Sequence, residues 1–159
     1  VITCSDAASR GDRIDQSGPA VRALLEKNGF AVDTVMIVPD EADEIANAIE
    51  LACGDGARLV MTTGGTGLSP RDVTPEATVR VCDRLVPGIS EAMRAASLKQ
   101  TPMAALSRAV AGTRGSALVV NLPGSVKGAT ECLSAILPLI PHALEILTGA
   151  RVESQPQPC

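Results

Sequence analysis

Short, densely apolar runs alternate along this chain with stretches in which apolar residues return every three or four positions, the pattern of buried strands alternating with amphipathic helices. Val1 to Ser5 reads as a short buried strand and the polar stretch Asp6 to Gln16 as a loop. Ser17 is placed to cap a helix with Gly18 and Pro19 in its first turn and Val21, Leu24 and Leu25 on one face, ending at Asn28-Gly29. Phe30 to Val38 has the β-branched content of a second strand, stopped by Pro39-Asp40. Asp40 then stands where an N-cap belongs, ahead of Ile45, Ala48, Ile49 and Ala52 at helical spacing.

Arg58 to Thr62 is a third strand that runs into a glycine loop. Thr74, with Pro75 behind it, caps a helix whose inner face is Thr78, Val81, Cys82 and Leu85. After Pro87-Gly88 a further helix carries Ile89, Ala92, Met93 and Ala96. Ser116 to Leu122 is a strongly apolar strand closed by Pro123-Gly124-Ser125. From about Lys127 a last helix presents Leu133, Ile136, Leu137, Ile140, Leu144 and Leu147, and Pro138 and Pro141 should kink or split it. This order implies an α/β fold: a three-layer domain over 1–149 with a mostly parallel sheet flanked by helices, then a tail over 150–159. Ligands of such sheets bind beyond the carboxyl ends of the strands, which directs attention to the loops after Ser5, Val38, Thr63 and Leu122.

Composition narrows the function. A chain of 159 residues with 45% hydrophobic residues can bury one core without staples. Trp and Tyr are absent and Phe30 is the one Phe, so base-stacking platforms are excluded. The net charge of −4 argues against binding to nucleic acid or an anionic membrane. No continuous apolar run reaches the roughly 18 residues of a span, no signal peptide is visible, and a cytoplasmic protein is expected. The cysteines Cys4, Cys53, Cys82, Cys132 and Cys159 form no Cys-x-x-Cys pair and read as reduced core thiols. His142 is the single histidine, which excludes a triad or a His-rich metal site.

The chemistry concentrates around Thr62-Thr63-Gly64-Gly65-Thr66-Gly67, where bare backbone at a strand end can turn several N–H groups toward an anion. Alone, such a run is as readily a tight turn. Its continuation, Leu68-Ser69-Pro70-Arg71-Asp72-Val73-Thr74-Pro75, sets a cation, a carboxylate and a helix N-terminus beside it, a combination suited to phosphate and a divalent ion. The spacing matches neither a P-loop nor a dinucleotide fingerprint. Asp40 and Asp72 leave the same edge of the sheet and either share one magnesium ion or serve as ordinary caps. Arg71, Arg108, Arg114 and Lys127 stand near the loops as candidates for an anionic substrate, and Ser107 as a phosphate ligand or a turn cap. Asn121-Leu122-Pro123-Gly124 is either a functional strand end or a plain turn.

The segments Thr62 to Thr78, Val38-Pro-Asp-Glu41, Leu106 to Ser116 and Asn121-Leu-Pro-Gly-Ser125 resemble, in order, the MogA/MoaB family, whose domain also forms the G domain of gephyrin-like proteins. The resemblance implies a homotrimeric molybdopterin adenylyltransferase of molybdenum cofactor biosynthesis. It would use Mg2+ and ATP as co-substrate, release pyrophosphate, and have the molybdenum-insertion protein as a further partner. A MoaB-type molybdopterin-binding paralogue with weak or no transferase activity and a non-catalytic scaffold domain are the alternatives. The family's acidic pair maps to Asp40 and Asp72, as catalytic and metal-binding residues. Its nucleotide and pterin contacts map to Ser5, Asp6, Ser17, Gly18, Gly64, Gly65, Thr66, Gly67, Asn121, Leu122, Pro123, Gly124 and Ser125, with Ser107 and Arg108 on the pterin side. The chain departs from the family in the loop Ala7 to Gln16 and at Val126, where a proline often stands.

Overall fold

The structure, a computed structural model, describes residues 1–149. Its sheet has the order β2-β1-β3-β6-β5-β4, with β1 at Ile2–Cys4, β2 at Met36–Val38, β3 at Leu59–Thr63, β4 at Arg84–Leu85, β5 at Ala111–Arg114 and β6 at Ala117–Leu122. The four strands β2, β1, β3 and β6 are mutually parallel, so the loops that leave them emerge at one edge. β5 and β4 extend the sheet in antiparallel steps, beginning with a tight β5–β6 hairpin. The three-layer α/β architecture expected from the pattern of elements is the one observed.

The helices are α1 (Asp6–Ser9), α2 (Ser17–Lys27), α3 (Ala42–Gly54), α4 (Thr74–Val81), α5 (Pro87–Leu98), α6 (Val126–Ile136) and α7 (Ile140–Leu147). One face of the sheet packs α2, α5, α6 and α7 through Val21, Leu25, Ile89, Met93, Leu133, Ile136 and Ile140. The other packs α3 and α4 through Ile45, Ile49, Ala77 and Val81. Central strands feed both cores by simple alternation: Val60 and Val119 point to the second, Met61 and Val120 to the first. Each of these fully buried side chains stabilises the fold by about 1.5–3 kcal/mol. The helical run Val126–Leu147 has the length and mean hydropathy of a membrane span, yet Leu133, Ile136 and Ile140 are buried in the core. A 3₁₀ turn at Leu137–Leu139 divides it where Pro138 and Pro141 were expected to act.

Several local expectations need correction. The second strand covers Met36–Val38 and not Phe30 to Val38, because its one neighbour, β1, offers three residues to pair with. Phe30 and Val32 instead pad the first core. Asp6 to Ser9 is a turn of helix within the expected loop, capped by the Ser5 hydroxyl, which accepts from Ala8 N–H at 3.3 Å. Three helices are capped otherwise than foreseen. Gln16, Glu41 and Val73 hold the N-cap positions of α2, α3 and α4, none with a side-chain bond. At α2 the Asp15 carboxylate accepts from the N–H groups of Ser17 and Gly18. Leu85, assigned to a helix face, lies exposed on the edge strand β4.

Candidate functional site

The chain returns on itself at β1: the connection to β2 runs one way, and the next returns past β1 to β3. Such a reversal opens a crevice at the carboxyl ends of the two strands. The glycine loop is wedged there. Gly64 (φ +93) and Gly65 (φ +61) take left-handed backbone, and a side chain would drive into the Cys4 carbonyl at the first and the Thr74 hydroxyl at the second. Gly64 N–H donates to the Leu122 carbonyl (3.1 Å) and Thr74 N–H to the Gly65 carbonyl (3.1 Å), tying the loop to β6 and to α4.

Arg108 fixes the far half of the loop. Its backbone N–H donates to the Thr66 carbonyl (2.9 Å) and its Nε to the Gly67 carbonyl (2.7 Å). The remaining guanidinium nitrogens hold the Asp72 carbonyl and the Glu76 carboxylate. A planar fork with fixed donors suits this multiple attachment, and it leaves Arg108 a strut rather than a free cation. Arg71 is similarly engaged, by both carboxylate oxygens of Asp6 (3.0 Å each) and by Glu41 (2.8 Å).

Asp40 and Asp72 converge on this crevice. Asp40 Oδ2 accepts from Asp6 N–H (2.9 Å), while Asp40 Oδ1 is buried and has no partner. Burial, and then the neighbouring charges of Asp6 and Asp72, push the Asp40 carboxyl above its ordinary value, against the Asp6 N–H bond and Arg71. Asp72 Oδ2 accepts from Ser69 N–H (2.8 Å), which folds the loop back over its own carboxylate. Neither aspartate has a salt-bridge partner among the described residues. An orphaned buried carboxylate oxygen with a second carboxylate nearby fits a divalent cation. Among the described residues no cluster of three or more His, Cys, Asp or Glu side chains offers a full protein shell. Such an ion would complete its coordination from phosphate oxygens and water, as magnesium commonly does.

Ser5, Ser17, Asp40, Gly64, Gly65, Asp72, Gly124 and Ser125 line one cavity of about 690 Å³ at this edge. A second, more apolar cavity of about 300 Å³ holds Thr66, Gly67, Ser107, Pro123 and again Ser125, together with Met93, Met103 and Leu106. The remaining expected residues line neither. Asp6 holds Arg71 and the Asp40 backbone, and Gly18 fits against Thr3 and Asp15. Asn121 and Leu122 are fully buried. The Asn121 amide donates to Thr62 Oγ1 (3.0 Å) and Thr78 Oγ1 (2.8 Å) and its oxygen accepts from Val110 N–H (3.2 Å), so its work is structural. Arg114 lies opposite Ala117 at the other edge of the sheet, paired with Glu50, and Lys127 is an exposed partner of Glu131.

Sequence reasoning missed Arg13 and Asp15, both on the wall of the larger cavity. Asp15 Oδ2 accepts from Thr3 Oγ1 (2.7 Å) and Oδ1 from the Ser17 hydroxyl (3.0 Å), which in turn contacts Thr63 Oγ1 (2.8 Å). An aspartate two residues before the helix start is a recognisable capping signal. Arg13 carried none. Cys4 lies beneath the loop, and burial pushes its thiol up to about 12, which makes it inert packing. Burial also raises Cys53, Cys82 and Cys132, all unpaired, while Cys159 lies outside the described residues.

Residues 1–142 match the family model described as a probable molybdopterin binding domain. The molybdopterin adenylyltransferase of Helicobacter pylori is 42% identical over 154 residues, covering 94% of this chain and 86% of that protein. Gephyrin of Dictyostelium discoideum is 42% identical over 99% of this chain, which spans 23% of that larger protein. Among solved structures, the molybdopterin biosynthesis enzyme MoaB of Thermus thermophilus superposes with a TM-score of 0.88 at 52% identity, covering 93% of this chain and 94% of that one. With its glycine loop and both aspartates converging at the β1/β3 crevice, this chain belongs to the molybdopterin-binding domain family that includes MogA and MoaB.

Proposed function

We propose that this protein is a molybdopterin adenylyltransferase of molybdenum cofactor biosynthesis, transferring AMP from Mg-ATP to the phosphate of molybdopterin with release of pyrophosphate. The observation that carries this reading is the placement of Asp40 and Asp72 on the same cavity wall as the Gly64-Gly65 turn, with Asp40 Oδ1 buried and unpartnered. In the transfer, an oxygen of the pterin phosphate forms a bond to the α-phosphorus of ATP and the α–β bridging P–O bond breaks, the electron pair leaving with pyrophosphate. Catalysis of such a step is mostly alignment and charge neutralisation.

A magnesium ion held by Asp40 and Asp72 would neutralise phosphate oxygens. The chain's own groups do the rest. The glycine loop admits the phosphate chain against bare backbone, and Arg108 keeps that loop and the Asp72 main chain in place. Arg71, held by Asp6 and Glu41, fixes the approach of the Pro39–Glu41 segment to the loop. The smaller cavity, with its methionines and Ser107, suits a flat heterocycle beside the phosphate site and is assigned to the pterin.

Homotrimeric assembly, a cytoplasmic location and contact with the molybdenum-insertion protein belong to the same reading. Exposed Leu68 in the glycine-loop segment is apolar surface for a neighbouring subunit, and buried unpaired cysteines suit a reducing compartment. The test is direct: purified protein with Mg-ATP and molybdopterin yields adenylylated pterin and pyrophosphate. Asp72→Asn abolishes transfer while secondary structure and oligomeric mass persist. A folded wild-type protein that binds molybdopterin and never turns over would make it the MoaB-type binding paralogue instead.

A further inference from the structure

The larger cavity presents three carboxylates, Asp15, Asp40 and Asp72, and one basic side chain, Arg13. Asp15 is occupied on both oxygens by Thr3, Ser17 and Gly18. The other arginines near this edge are also engaged, Arg71 by Asp6 and Glu41, Arg108 by Glu76 and two carbonyls. Arg13 differs from them. Its Nη2 donates to Ser5 Oγ (3.2 Å), and it has no salt-bridge partner among the described residues. A guanidinium carries five N–H donors, so most of its fork stays free.

The Ser5 contact fixes where that fork stands. Ser5 follows β1, directly after Cys4, whose carbonyl packs against Gly64 of the glycine loop. Gly64, Gly65 and Arg13 line the same cavity, so a phosphate entering over the two glycines shares that space with the Arg13 guanidinium. A cavity with unneutralised carboxylates repels a polyphosphate unless cations offset them, and Arg13 is the one cation the described wall supplies. Bidentate donation by arginine to phosphate oxygens is strong and directional.

We infer that Arg13, anchored by Ser5 Oγ, is the side chain that grips the phosphate chain of the nucleotide bound in the cavity lined by the Gly64-Gly65 turn. This rests on the nucleotide reading given above. It also assigns a ligand contact to the loop 7–16.

Calorimetric titration of the full chain with Mg-ATP, and separately with magnesium pyrophosphate, tests the assignment. Arg13→Ala should weaken both probes about 10- to 100-fold, the range expected for losing hydrogen bonds to a charged group. Arg13→Gln, which retains a donor for Ser5 and loses the charge, should fall with it, and Arg13→Lys should recover part of the loss. Lys27→Ala, on the outer surface of α2, should bind as wild type. Unchanged affinity for both probes in Arg13→Ala or Arg13→Gln overturns the assignment. Wild-type protein that binds pyrophosphate through Arg13 but shows no affinity for ATP would sink the nucleotide reading and leave the phosphate grip standing. Binding of neither probe by the wild type would overturn both.

Discussion

Asp6 and Asp40 cap one another: Asp6 Oδ1 accepts from Asp40 N–H at 3.1 Å, and Asp40 Oδ2 accepts from Asp6 N–H at 2.9 Å. The two residues follow neighbouring parallel strands, so the exchange clamps the loops after β1 and β2 together. It also aims the unpartnered Asp40 Oδ1 inward. Asp6→Ala removes one half of the exchange and leaves Arg71 with Glu41 as its one carboxylate partner among the described residues. Because small misplacements of reacting groups cost on the order of 100-fold in rate, kcat should fall to about that extent while far-UV circular dichroism stays unchanged. Steady-state kinetics would show it, and wild-type kcat in Asp6→Ala would remove the clamp from the mechanism.

The same clamp makes the site sensitive to acid. The Asp6 carboxyl is held below its ordinary 3.8 by the Arg71 guanidinium and then by the Asp40 N–H, and Glu76 below its ordinary 4.5 by Arg108. A folded-state value below the unfolded one gives stability that is fully present above the unfolded value and is lost as pH falls through the folded one. Urea midpoints should therefore hold from pH 7 to about pH 5 and decline below about pH 4. An Asp6→Asn, Glu76→Gln double variant should start lower at neutral pH and decline less. Parallel curves for the two proteins would contradict the expectation.

Arg108 offers a test of scaffolding against ligand binding. In Arg108→Ala the carbonyls of Gly67 and Asp72 lose donors, at a cost of about 1–3 kcal/mol if they stay dry. The glycine loop loses its brace, so kcat should drop with KM for molybdopterin little changed. Arg108→Lys should not rescue it, because one ammonium cannot span three acceptors on a fork's geometry. A selective rise in KM alone would make Arg108 a pterin contact.

Asn121 should prove a residue of stability. Its amide bridges Thr62 on β3 to Thr78 on α4, all three side chains out of solvent, and its oxygen receives the part-buried Val110 N–H. Asn121→Ala leaves these groups unpaired and should cost about 3 kcal/mol, read from urea unfolding. Residual folded protein should retain ATP affinity.

Legibility in the sequence followed the physics of each element. Strands β1, β3 and β6 announce themselves as continuous apolar runs because the sheet is covered on both faces, and the loops that follow them carry most of the cavity. Strands β4 and β5 do not. Ala-Gly-Thr-Arg shows little apolar signal, and Gly112 is required only because Cys82 at the end of α4 and the carbonyl of Arg84 on β4 press against it. Asn121 has no sequence signal for its real role, which exists once pairing brings it opposite Thr62. Arg13 shares its loop with Arg10, and nothing in the spacing says which of the two turns inward while the other pairs with Asp12.

The larger cavity draws its wall from four strand ends, from Ser5 after β1 to Ser125 after β6, and each borrows its position from the next through backbone bonds. No contiguous fragment owns even a weak version of it. Ligand affinity is thus a gauge of the integrity of the whole parallel sheet: a nascent chain still lacking β6 has no Leu122 carbonyl to hold Gly64 and no binding to offer. Damage anywhere along those four strands reads out as lost capture of substrate, even where every residue that touches it is intact.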